Sequence, residues 1–393
     1  MKTSFVSVFL LFSIFSVAQY NPDNGFMDAH FGKPITFSSR DSSFSLGIGG
    51  RIQSLAEARR DVMTDKDNID FSIRRLRLNF AGNAISQKFT YRIQLCFSQR
   101  DVSSDNSLVP NNVFLRDAML FFSPNKHWRF GFGQTKLPGN RQRQTSSANL
   151  QFADRSNTNS LFTLDRDKGF WIVYTARTKK KAIISNTLAI TSGEGRITSD
   201  KTTGLCYSFR SEVLPFGEFK NNGDYIESDI FFEDKFKFSV GFVYSFNNRT
   251  SRVAGQLGEY LFNNQLADIH YYGVDMVMKK KGWSFTGELY RRTSDNGVSI
   301  NTSTSKVNFV YSGTGLLLQS GYLFTKKDEF AFRYGLTSPD NKINSYTSKV
   351  NEYMLAYSHY FFRHNLKLQT DAGWFKGPAQ ESLQWRFTGI VTF

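Results

Sequence analysis

From Phe44 to Phe393 an alternation of apolar and polar residues at every second position recurs, broken by polar stretches. No other feature restricts the fold as tightly, because period two belongs to an extended strand with two unlike faces. Phe44, Leu46, Ile48 and Ile52 alternate with Ser45, Gly47, Gly49, Arg51 and Gln53. Leu76, Leu78 and Phe80 oppose Arg75, Arg77 and Asn79, and Phe89, Tyr91, Ile93, Leu95 and Phe97 oppose Thr90, Arg92, Gln94 and Cys96. Trp128, Phe130 and Phe132 face away from Arg129, Gly131 and Gly133, and Phe236 to Phe246 carry the longest aromatic stripe. The last segment sets Leu383, Trp385, Phe387, Val391 and Phe393 against Gln384, Arg386, Thr388 and Thr392.

The two faces differ in a telling way. One is uniformly Phe, Tyr, Trp and Leu, and the other is Gly, Ser, Thr, Gln and Arg, too polar for a packed interior. A soluble sandwich needs its apolar face inside; this pattern suits a sheet with lipid outside and water inside. In lipid an unpaired strand edge cannot be hydrated, so such a sheet must close. Forty Phe and 17 Tyr against only 8 Pro favour strands throughout. Past residue 20 no apolar run reaches the ~20 residues of a membrane helix. Roughly sixteen alternating segments are present, which predicts an all-β, antiparallel transmembrane barrel of about 16 strands over residues 44–393.

The chain starts as an exported protein does. Lys2 precedes the apolar run Phe5–Phe15, and Ser16-Val17-Ala18 places small residues before Gln19, so residues 1–18 read as a signal peptide cleaved after Ala18. Residues 19–43 carry no period and read as a periplasmic lead-in. A final alternating strand closing on Phe393 looks like the signal read by the outer-membrane assembly machinery, so the expected location is the outer membrane of a Gram-negative bacterium, with its lipid as the surrounding partner.

Net charge is +15. Such a balance suits nucleic acid, an anionic surface or anionic solutes, and export argues against nucleic acid. With the apolar stripes toward lipid, Arg51, Arg75, Arg77, Arg92 and Arg129 point into the lumen, and Arg386 joins them when the last strand pairs with the first. Arg116 has no clear phase. Lumenal acids Glu212, Glu288, Glu329 and Asp371 come from later strands, which predicts a transverse field with a basic wall on one side. Between the strands, residues 137–167 lose the alternation and are too long for a hairpin connection, so they read as a loop folded into the lumen as a constriction. Lys136 leads into it, and Arg141, Arg143, Arg155 and Arg166 lie on it against Asp154 and Asp165. Arginine's planar fork grips oxyanions two oxygens at a time, so Arg51, Arg75, Arg77, Arg92, Arg129, Lys136, Arg141, Arg143, Arg155 and Arg386 form the expected anion path. The runs Lys179–Lys181 and Lys279–Lys281 read instead as strand-end charges at the lipid headgroups.

Three stretches carry a family resemblance: Phe71-Ser-Ile-Arg-Arg-Leu-Arg-Leu78; Leu115-Arg-Asp-Ala-Met-Leu120 followed by Arg129 to Gly139; and Arg141 to Ser147 with Phe152 to Ser156 and Arg166 to Gly169. In these the chain resembles the phosphate-selective porins of the O and P type, most specifically over its first two-fifths. The resemblance implies a sixteen-stranded trimeric channel that passes anions, phosphate or polyphosphate among them, with a third loop folded inward. The chain departs from the family where it carries arginines rather than lysines at the loop and Gly139 where Phe commonly follows the proline. Phosphate, polyphosphate, another anion or no single species therefore stay open.

The residues suggest no enzyme, cofactor or metal. His30, His127, His270, His359 and His364 are scattered, and Ser358 and His359 point to opposite faces of one strand, the wrong geometry for a hydrolase. Cys96 and Cys206 are too few for a disulfide scaffold and read as inert thiols. Two other readings stand beside the anion porin: a general diffusion porin with a basic surface, and a structural or adhesive barrel plugged by its own loop.

Overall fold

Alternation becomes geometry most plainly at residues 328–339. There Phe330 and Phe332 are 60% and 46% exposed, while Glu329 and Arg333 are 1% and 0% exposed. A water-soluble sheet would show the reverse order. The computed structural model describes residues 26–102, 114–179, 181–196 and 204–393, and the expected signal peptide, residues 1–18, lies outside them.

Two short strands come first, β1 (Phe26–Asp28) and β2 (Ile35–Ser38). The wall then runs β3 (Ser45–Asp61), β4 (Lys66–Ala84), β5 (Ser86–Cys96), β6 (Leu115–Phe122), β7 (Trp128–Lys136), β8 (Arg166–Arg177), β9 (Ile183–Thr191), β10 (Cys206–Leu214), β11 (Lys237–Thr250), β12 (Ala267–Lys280) and β13 (Trp283–Asp295). A small hairpin, β14 (Val298–Ile300) with β15 (Val307–Phe309), sits in the next loop. The wall finishes with β16 (Gly313–Leu323), β17 (Asp328–Pro339), β18 (Val350–Phe362), β19 (Leu366–Gly377) and β20 (Gln380–Thr392). Each wall strand pairs antiparallel with the next, and β20 pairs with β3 from Ser382↔Asp61 to Thr392↔Arg51. The result is a closed 16-stranded antiparallel barrel.

An even strand number brings both ends of the wall to the same rim. There Phe393 donates its backbone N–H to the Gly50 carbonyl at 2.9 Å and accepts from Gly50 N at 2.6 Å. Beyond the end of β20, the lead-in takes over the exposed edge. β2 pairs Ile35↔Ile48 through Ser38↔Ser45 with the start of β3, and β1 pairs with β2. Residues expected to be irregular thus cover an edge that β20 is too short to reach.

Among the register shifts of the described ladders, two bring an arginine inside. Gln53 pairs with Arg75 but Ser54 pairs with Ile73, which leaves Arg74 as an extra residue in β4. Gln94 pairs with Asp117 and Leu95 with Leu115, which leaves Arg116 extra in β6. A bulge lets two consecutive side chains share one face, so Arg74 joins Arg75, and Arg116 joins Asp117, inside the barrel.

Candidate functional site

The long connection between β7 and β8 crosses the lumen and rests on the far wall. Its backbone N–H groups point at carboxylates of the later strands. Gln142 N donates to Glu288 of β13 at 2.7 Å, Asn157 N to Glu352 of β18 at 2.7 Å, and Ala153 N to Asp371 of β19 at 2.9 Å. The Gln151 amide donates to Glu329 of β17 at 2.6 Å. Hydrogen bonds to charged groups contribute roughly 1.5–3 kcal/mol each, and an unmet buried acceptor costs a similar amount. Apolar side chains add to the grip: Phe162 stacks on Tyr290 and meets Tyr311 edge-on, while Phe152 packs against Ala331, Met354 and Ala356. The wall beneath is stripped to fit. A Cβ on Gly315 would meet the Phe162 ring at 2.7 Å, and one on Gly321 would collide with the Gln151 amide.

This arrangement revises the expected transverse field. Glu288, Glu329 and Asp371 do not face open water; the loop covers them. Only Glu212 of the four predicted acids lines the remaining space. That space is a cavity of about 420 Å³ against β4–β10, and of the described residues eight basic side chains (Arg77, Arg92, Arg116, Lys136, Arg143, Arg155, Arg166 and Arg210) line it with two acidic ones (Asp117 and Glu212). Ser146, Ser147, Ser185, Thr187, Gln94, Gln144, Trp171 and Tyr225 supply hydroxyl, amide and aromatic surface.

Both acids are already engaged. Asp117 accepts from Arg166 Nε at 2.8 Å and Nη2 at 3.2 Å, and Glu212 pairs with Arg141 and accepts from Tyr225 at 2.5 Å. Asp101, from the short helix Gln99–Val102, serves Arg77 (2.5 and 2.6 Å) and Arg116 (2.9 Å) together. Asp165 likewise faces both Arg143 and Arg166. Three of the eight cavity cations have no carboxylate partner among the described residues. Lys136 donates to the carbonyls of Arg143 and Gln144 at 2.8 and 3.0 Å, and Arg155 to those of Gln142 and Thr145 at 2.8 and 2.7 Å. The Arg92 side chain lines the cavity and makes no hydrogen bond among the described residues.

The ten predicted residues therefore separate. Arg77, Arg92, Lys136, Arg143 and Arg155 come together around the cavity. The other five lie elsewhere. Arg75 holds Asp154, helped by Arg74 at 2.8 Å, and bonds Gln53 at 2.6 Å. Arg386 grips Asp371 at 2.7 and 3.1 Å. Arg141 is bound between Glu212 and Asp275 beneath the loop. Arg51 donates to Ser147 at 2.8 Å, and Arg129 lies 3.7 Å over the Phe121 ring nearer the rim.

The loop's own charged groups separate in the same way by their acidities. Burial pulls the guanidiniums of Arg141, Arg143 and Arg155 down, but at Arg141 the carboxylates of Asp275 and Glu212 outweigh it and the group ends above its usual value. At Arg143, burial is joined by repulsion from Arg155 and Arg166, and the group falls well below its usual value. Arg155 is lowered to about 9, by burial first and then by Arg75 and Arg77. A guanidinium still stays protonated at neutral pH. The downward direction records a site short of negative charge, which an anion relieves.

Three further arginines line the cavity: Arg116, which sequence left without a phase, Arg166, which it placed on the loop alone, and Arg210, which it did not single out as lumenal. The bulge hides Arg116; the signal that exposes it is energetic, since a charge on the lipid face at midplane costs about 2–4 kcal/mol. Lys279 needs a correction. Rather than reaching headgroups, it is buried and donates to three carbonyls, Gly223, Ile226 and Ser228, at 2.6–2.7 Å. Gly139 accepts from Arg210 at 3.1 Å, and a Cβ there would stand 3.0 Å from that of Leu164, so a bulky residue is excluded. Cys96 and Cys206 are free and buried.

Comparison with known proteins follows the geometry. The family model for phosphate-selective porin O and P matches residues 46–384. No curated protein matches the sequence. Among solved structures, an anion-selective porin from Comamonas acidovorans is similar at TM-score 0.56 and 12% identity, over 89% of this chain and 100% of that one. The outer membrane channel DcaP of Acinetobacter baumannii is similar at TM-score 0.55 and 10% identity, over 91% and 99%. The trimer form of in-vitro folded OmpT, an outer membrane protein of Vibrio cholerae, is similar at TM-score 0.51 and 10% identity, over 89% and 100%. At these identities the likeness is one of fold.

Proposed function

Because the chain belongs to the phosphate-selective porin O and P family, and is thus an outer-membrane channel rather than an enzyme, we propose that it passes small anions by diffusion through the arginine-lined cavity beside its third loop. One observation carries the reading: Arg92, Lys136 and Arg155 face the path with no carboxylate partner among the described residues, so positive charge there exceeds negative. Pores that select anions line themselves in this way. Residues 137–167 are the constriction, and Arg77, Arg92, Lys136, Arg143 and Arg155, with Arg116, Arg166 and Arg210, form the path. Arg51, Arg75, Arg141 and Arg386 hold its walls in place, and Arg129 belongs to the vestibule at the rim.

Phosphate or polyphosphate is the solute that the family suggests, and forked guanidiniums suit its oxygens. A homotrimer is the expected working state, as in the trimer form of OmpT. Terminal Phe393, closed onto Gly50, is the feature offered to the assembly machinery.

Reversal potentials in planar bilayers under a salt gradient test the reading. The wild type is expected to favour anions over cations, with phosphate blocking the chloride current. Replacing Arg92 and Arg155 with glutamine reduces that preference, and Arg386→Gln leaves its sign unchanged. A reversal potential unaffected by the paired replacement rejects the cavity as the selectivity site. A current indifferent to phosphate leaves a general anion path.

A further inference from the structure

One connection at the rim carrying both chain ends is unlike its neighbours. Most wall strands there are joined tightly, as at Lys281-Gly282 between β12 and β13, yet β10 ends at Leu214 and β11 starts at Lys237. The intervening chain does not hang outside the barrel. Residues 219–233, with a 3₁₀ turn at Lys220–Tyr225, bond inward-facing groups of the wall and of the third loop.

From the wall, Lys279 of β12 holds three of the segment's carbonyls at 2.6–2.7 Å. Gln319 of β16 donates to Glu227 at 2.8 Å, and Tyr225 donates to Glu212 of β10 at 2.5 Å. From the loop, Gln151 N donates to Glu227 at 2.8 Å and the Gln142 amide donates to it at 3.2 Å. Glu227 N in turn donates to the Asn149 carbonyl at 3.0 Å, and Arg141 donates to the Asp224 carbonyl at 3.2 Å. Glu227 thus links the β16 wall, the loop and this segment. The Tyr225 ring, 5.0 Å beneath the Arg141 guanidinium, lines the cavity itself.

We propose that residues 219–233 form a second constriction element that enters from the periplasmic rim, with Tyr225 as its pore-facing residue and Glu227 as the positioning residue that fixes it against the third loop. The bore is then set between two inserted segments, one from each mouth of the barrel. Charge selectivity stays with the cations of the cavity, and the limit on solute size passes to Tyr225. This rests on the reading of the cavity as the conducting path, and its test separates the two.

The test is substituted-cysteine modification of the full-length channel in planar bilayers. An anionic methanethiosulfonate reagent added to conducting Tyr225→Cys channels is expected to remove much of the current, with the wild type unaffected because Cys96 and Cys206 are buried. Current through Tyr225→Cys that the reagent leaves unchanged overturns the proposal, whatever the ion preference of the wild type. A companion measurement compares size with charge. Tyr225→Ala should raise single-channel conductance and the liposome-swelling rate for neutral sugars while keeping the sign of the reversal potential. Glu227→Ala should show the same increase with noisier current, and Glu227→Gln should restore part of the quiet state. Unaltered conductance and swelling in both alanine variants, run as heat-modifiable bands that prove folding, likewise overturn the proposal. A wild type without anion preference rejects the functional reading and leaves the bore result standing.

Discussion

Asp154 shows what a single residue of the third loop contributes. It meets Arg75 and Arg74 at once, on a side chain that is largely buried. Burial by itself pushes its carboxyl up, but Arg75, Arg74 and Arg386 outweigh that and hold it well below the ordinary 3.8. A carboxyl depressed in the folded state stabilises fully above its ordinary value and loses that contribution as pH falls through the depressed one. The Asp154 anchor should therefore persist at pH 5, and conductance and reversal potential measured at pH 7 and pH 5 should agree as far as this group is concerned. Asp154→Ala leaves two largely buried guanidiniums without their carboxylate acceptor, a loss of about 3–5 kcal/mol. The expected readout is a lower temperature for the heat-induced band shift in detergent, with noisier current from a loosened loop. A shift temperature equal to that of the wild type would show that water compensates the arginines.

At the scale of elements, the two bulges decide where charge goes. Each adds one inward arginine, Arg74 in β4 and Arg116 in β6, without disturbing the apolar stripe on either side. Removing an extra residue restores a regular ladder, whereas removing a regular one turns every following side chain to the other face. Deletion of Arg74 should therefore still give a folded, heat-modifiable barrel, with only Arg75 left on Asp154. Deletion of Leu76 should prevent assembly, since it drives either Arg75 or Arg77 toward lipid. Equal assembly of both deletions would refute the bulge. The third loop obeys a complementary rule, because its exposed backbone N–H groups are taken up by carboxylates of β13, β18 and β19. Much of the acid in the later strands is a cradle for backbone rather than an electrode across the pore.

Across the whole molecule, the net charge of +15 is less informative than its distribution. Acids and their partner arginines are buried under the loop, and the cavity keeps the surplus of positive charge on the other wall. Selectivity that comes from such a surplus is screened by salt, with a Debye length of about 10 Å at 0.1 M and about 3 Å at 1 M. Anion preference should thus be stronger in 0.1 M than in 1 M potassium chloride, measured at the same gradient ratio. Preference that does not change with ionic strength would indicate tight sites that hold each anion by direct bonds instead of by a diffuse field.

The sequence by itself determined the closed barrel, its approximate strand number and the inward phase of Arg75, Arg77 and Arg92. These follow from period two, which is local: each residue's face is decided by its chain neighbours and by the cost of polar groups in lipid. Only the tertiary structure decided which cations remain available. Arg75 and Arg92 share the inward phase, yet Arg75 is bound to Asp154 and Arg92 lines the cavity with no carboxylate partner among the described residues. That division depends on where a loop more than sixty residues downstream comes to rest, and on the bulges that bring in Arg74 and Arg116. The same loop bonds Glu227, in a segment that local pattern assigned to no role. Charge compensation is a property of groups brought together by closure, and alternation along a strand does not encode it.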